Sequence, residues 1–83
     1  MILSVVKDLV AKHTKAEIDA AAAAFEADRS NTLNVEGKDD GEILSNLLVA
    51  SFVKARVDKG MSVQDAIREY SARVRGMISP PKK

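Results

Sequence analysis

Along residues 2–13 the apolar positions Ile2, Val5, Val6, Leu9 and Val10, with His13 after them, fall on one face at roughly 100° per residue, the period of a helix. Thr14 followed by Glu17 has the spacing of a capping box, which starts a second helix at about residue 15 and carries it to about 28. This helix is unusual in holding five consecutive alanines, Ala20 to Ala24, so that Ile18 and Phe25 are its only large apolar anchors. Alanine favours the helix strongly but offers little area to bury, and its small side chain lets a neighbouring helix come close. Between residues 29 and 40 the sequence turns to Ser, Asn, Thr, Gly and Asp, residues that bond locally to the backbone, and a loop is expected there. Leu33 and Val35 are the two positions able to pin that loop to a core.

Asp39 and Glu42 repeat the capping spacing and open a third helix over about 41–59, stopped by Gly60. Ser62 and Asp65 open a fourth over about 63–77, ended by Pro80 and Pro81. The fourth helix has a single apolar stripe, Val63, Ala66, Ile67, Tyr70, Val74 and Met77. The third has nearly two. Leu44, Leu48, Phe52 and Ala55 form one, while Val49, Ala50, Val53 and Val57 form another roughly 130–150° away, with Ile43 and Leu47 between them. A helix with two stripes must be covered from both sides. The short Gly60-Met61 turn predicts that helix four folds back as an antiparallel hairpin, with Leu44, Leu48 and Phe52 meeting Ile67, Tyr70 and Val74. That leaves Val49, Val53 and Val57 as the predicted seam of a homodimer.

Composition strengthens the case for a partner. Leu, Ile, Val and Phe make up 22 of 83 residues, enough for a folded core, but 12 of the 38 hydrophobic residues are alanines. A domain of this size buries only about 60–65% of its unfolded surface and is marginal without a staple. Cysteine is absent, which excludes disulfides and thiolate zinc sites. The expectation is an all-α single domain over residues 1–79 with a free basic tail at 80–83, self-associating, and with a second protein's helix as a further possible partner beside the alanine run. A monomeric bundle without a ligand is the plain alternative.

The net charge of +1 conceals a segregation. Residues 17–42 carry eight acids against Arg29 and Lys38, and residues 43–83 carry eight bases against Asp58, Asp65 and Glu69. The two segments therefore sum to −6 and +5 and can attract each other within a chain or between chains. Arg68, Arg73 and Arg75 on the last helix could neutralise phosphates, which makes a nucleic-acid-associated regulator the second functional reading. Against it, Asp65 reaches Arg68 at i,i+3, Glu69 reaches Arg73 at i,i+4, and the place of base-reading side chains is held by Gln64 and Asp65.

Candidate chemistry is sparse. A single histidine, His13, cannot assemble a transition-metal site, and capping or packing is its expected role. The acids and hydroxyls Asp28, Ser30, Thr32, Asn34, Glu36 and Asp39 alternate as in a calcium loop, but Leu33 stands where the sharp turn needs glycine. No nucleophile stands beside a base, no glycine-rich phosphate loop occurs, and no Asp-Ser-Leu prosthetic-group site is present. The sequence thus predicts no enzyme, no cofactor and no metal. No run approaches the ~20 apolar residues of a membrane span, and with no signal segment in the first residues a cytoplasmic location is expected.

Overall fold

The computed structural model describes the backbone of residues 2–78 and the side chains of residues 2–74. It contains four helices and, among the described residues, no strand: α1 (Leu3–Lys12), α2 (Lys15–Asp28), α3 (Asp40–Asp58) and α4 (Val63–Ile78). The predicted tail at 80–83 and the side chains of Arg75 and Met77 lie outside the described residues.

The helix starts follow the local chemistry. Thr14 Oγ1 accepts the Glu17 amide at 3.1 Å, and the Glu17 carboxylate accepts the Thr14 amide at 2.9 Å, completing the capping box. At α3 the Asp39 carboxylate accepts the Glu42 amide at 2.9 Å, but Glu42 reaches one residue further out, to the amide of Lys38 at 2.8 Å. Ser62 Oγ accepts the Asp65 amide at 3.1 Å ahead of α4. The helix ends divide into one foreseen and one unforeseen stop. Gly60, at φ 104°, lets the amides of Gly60 and Met61 turn back to the carbonyls of Val57 and Arg56. At the end of α2 it is Arg29, at φ 67°, that takes the left-handed conformation, held by its amide bond to Phe25 O at 2.8 Å and its guanidinium on Asp40 at 3.1 Å.

The core has α3 at its centre, packed against each of the other three helices. Val6, Leu9 and Val10 enter from α1, Ile18, Ala21, Ala22 and Phe25 from α2, and Ala66 and Ile67 from α4. They close on Leu47, Val49, Ala50 and Val53 of α3. Full burial of a Val, Leu, Ile or Phe side chain stabilises by about 1.5–3 kcal/mol. The alanine-rich helix contributes two such residues, and Ala21 and Ala22 let its backbone approach closely enough to cover α3.

The expected dimer seam is corrected here. Val49 is 1% and Val53 0% exposed within the single chain, and Val57 is half-buried, because the chain's own helices already cover that side of α3. The loop between α2 and α3 is pinned as its two apolar residues suggested, with Val35 buried and Leu33 half-buried. Asn31 holds Val35 at both backbone atoms, accepting its amide at 2.8 Å and donating to its carbonyl at 2.9 Å.

Candidate interaction surface

Successive residues of α3 advance ~100° around its axis, and the three neighbours leave one sector open. On one flank Phe52 meets Tyr70 of α4 edge-on, with ring centroids 5.4 Å apart, and Arg56 pairs with Glu69 at 3.0 Å. On the opposite flank the Ser51 hydroxyl donates to Asp19 of α2. Leu44, Leu48 and Ala55 lie between these flanks. Leu48 is 48% exposed, and Leu44 and Ala55 are half-buried. Of the residues expected to meet α4, Phe52 lies against Tyr70 and Leu48 is exposed. The reason is geometric: α4 is engaged through Phe52 and Arg56, one step round the helix, and cannot also cover Leu48. Of the α4 residues assigned to this contact, Ile67 is buried and Tyr70 and Val74 are half-buried.

The flanks differ in charge. On α2 Asp19 borders the open sector through Ser51 and carries Lys15 at 2.6 Å, and the helical period puts the exposed Glu26 about two turns further along the same row. The Asp19 carboxyl is held below its ordinary pKa by the hydrogen bond from Lys15 and then by that from Ser51. On the α4 side Glu69 receives both Arg56 and, at 3.6 Å, Arg73. The two guanidinium groups stand 4.7 and 5.6 Å from the Phe52 ring centre, so this aromatic edge is fringed by positive charge. Beyond the acidic row, Ala16, Ala20, Ala23 and Ala27 form an exposed stripe on α2.

The other sequence candidates are dispersed. Arg68 pairs with Asp65 at 3.5 Å and Arg73 with Glu69, the helix-surface pairs that the spacings implied. His13 ends α1, its amide on Leu9 O at 3.0 Å and its Nδ1 3.4 Å from Glu17. The loop acids serve the backbone: Asp28 accepts the Ser30 amide and hydroxyl, and Asp39 caps α3. The Glu17 and Asp28 carboxyls lie below their ordinary values, the first chiefly through the Thr14 amide and the second through Ser30. A groove of about 330 Å³ runs between α1 and the loop, over Val5, Leu9 and Leu33, with the Asp8–Lys12 pair, His13 and Glu36 on its rim.

One residue that sequence reasoning missed holds the molecule together. Asn46 is fully buried, accepts the Ile2 amide at 2.8 Å and donates to the Glu36 carbonyl at 2.8 Å. It thereby ties the start of α1 and the end of the loop to the middle of α3. The available signal was position: Asn46 lies on the wheel between Val53 and Val57, a polar side chain inside an apolar arc. No helix among the described residues is long and apolar enough to cross a membrane.

Neither a curated protein nor a solved structure matches the chain. A family model does match it, over residues 1–79, and the chain accordingly belongs to DUF6952, a family of unknown function.

Proposed function

We propose that the protein is a small non-catalytic helical interaction module that associates with a second copy of itself through the outer face of α3. The observation that carries this reading is the open sector of Leu44, Leu48 and Ala55, with a leucine 48% exposed at its centre on the helix that organises the whole core. An isolated exposed leucine is ordinary. Here Leu48 continues into Leu44 and the half-buried Phe52 ring, and an unlike charge borders each side. The framework of the face is the antiparallel α3–α4 hairpin, supported by the paired contacts Arg56–Glu69 and Phe52–Tyr70. The seam is thus moved from Val49, Val53 and Val57, which the fold consumes internally, to the opposite side of the same helix.

A concentration series of amide NMR spectra tests the reading residue by residue. Raising the concentration should shift the signals of Leu44, Leu48, Phe52 and Ala55 and leave the α1–loop groove around Leu9 and Leu33 unmoved. Shifts confined to that groove, or none up to millimolar protein, would remove the proposal.

A further inference from the structure

The flank charges specify how the second copy is oriented. Resting on the α3 association proposed above, we infer that the two copies pack with their α3 helices parallel and in register, so that the α2 flank of each meets the α4 flank of the other.

Closed dimers are two-fold symmetric, and a face-to-face contact requires the axis to lie in the plane of contact. Two limiting directions exist. With the axis along α3 the helices run parallel, and because α2 and α4 occupy opposite flanks, α2 lands on the partner's α4. With the axis across α3 the helices run antiparallel, and α2 lands on its own equivalent, as does α4.

The α2 row carries Asp19 and Glu26 against Lys15, and the α4 flank carries Arg56 and Arg73 against Glu69. The antiparallel arrangement therefore places net negative on net negative and positive on positive, whereas the parallel one places unlike charges together at both edges. Exposed rim charges of this kind add little affinity but select orientation, and here they favour the parallel one. The heights match as well. Asp19 bonds Ser51 and Arg73 lies against Phe52, adjacent residues of α3 separated by ~1.5 Å along the axis. A two-fold axis along α3 permits no stagger, so Asp19 of one copy comes level with Arg73 of the other. Leu44, Leu48 and Ala55, with Ser51 between them, are spaced four, three and four apart, a seam on which the parallel arrangement sets each residue against its own equivalent.

Because the chain has no cysteine, engineered cysteines report the arrangement cleanly. Leu44→Cys, Leu48→Cys and Ala55→Cys are each oxidised alone and in pairwise mixtures, with Thr32→Cys in the exposed loop as the background control. Positions 44 and 55 are separated by ~16 Å along a helix, and a disulfide needs Cα atoms within about 7 Å. The parallel arrangement gives covalent dimers from Leu44→Cys alone and from Ala55→Cys alone, each many-fold above the Thr32→Cys background. No antiparallel register can link both. Dimers from only one of the two, or from a mixture of Leu44→Cys with Ala55→Cys and from neither alone, overturn the orientation and leave the α3 association standing. Background-level crosslinking at all three α3 positions overturns the orientation and the association together.

Discussion

Replacing Asn46 by alanine should be the most damaging polar substitution among the described residues. Asn46 is 0% exposed, and its amide satisfies two backbone groups, the Ile2 N–H and the Glu36 C=O, each at 2.8 Å. A buried donor or acceptor left without a partner costs about 1–3 kcal/mol. Both bonds are only partly buried, so water can reach the freed groups and the lower half of that range applies to each. The two groups together cost about 2–4 kcal/mol. A chain of 83 residues has roughly 4–12 kcal/mol of stability in all, so the loss is a large fraction of it. In thermal unfolding followed by circular dichroism it corresponds to a fall of roughly 10–25 °C in Tm. Hydrogen exchange adds a regional signature: protection should fall first in the opening turn of α1 and around Glu36, the two segments that Asn46 ties to α3. Ser45→Ala, at the neighbouring half-buried position with no such bonds, should change Tm by only a few degrees. If Asn46→Ala melts within 2–3 °C of the wild type, the clamp contributes nothing and the reasoning fails.

Three further outcomes follow from local features. Glu17, Asp19 and Asp28 have carboxyl pKa values held below the ordinary carboxylate values, so the native state binds protons less readily than the unfolded chain. Their contribution to stability is complete above the ordinary values and is lost as pH falls from there through the depressed ones. Melting temperatures should hold from pH 8 to 5 and decline below about pH 4.5, with Glu17→Gln starting lower and declining less; an unchanged slope in that variant would discount the capping box as a source. Gly60→Ala should destabilise by about 1–2 kcal/mol through its positive φ alone, since the space around it is open, whereas Gly41→Ala in the first turn of α3 should stabilise by up to about 0.5 kcal/mol. Urea titration distinguishes the pair, and equal effects would contradict the backbone argument. If unfolding is coupled to dissociation, Tm should also rise with protein concentration over two decades, and a constant Tm would speak against association.

The fold was legible where a signal was local. Capping pairs at Thr14, Asp39 and Ser62, the glycine at 60 and the helical period placed all four helices to within a residue or two. Assigning partners to the two faces of α3 was not possible from the same pattern, because a stripe states that a side must be covered and not by what. The alanine run pointed to close approach with little area to bury, and α2 does bury Ala21 and Ala22, but which side of α3 they would cover was not written in the run. Arg29 gave no warning of its left-handed backbone, and its pair with Asp40 joins residues that only the tertiary fold brings together. The Arg56–Glu69 pair was equally invisible, joining residues on two helices that only the tertiary fold brings together.

Sedimentation equilibrium of the wild type beside Leu48→Glu tests the central claim most directly. The account predicts a wild type of twice the 9.0 kDa chain mass and a Leu48→Glu variant of 9.0 kDa that keeps its helical signal, since residue 48 is exposed in the single chain. Val53→Glu is unsuitable, because it would place an acid in the chain's own core and unfold it. A wild type that stays at 9.0 kDa to millimolar concentration, or a Leu48→Glu variant that dimerises as tightly as the wild type, would contradict the claim that the outer face of α3 is where this protein meets its partner.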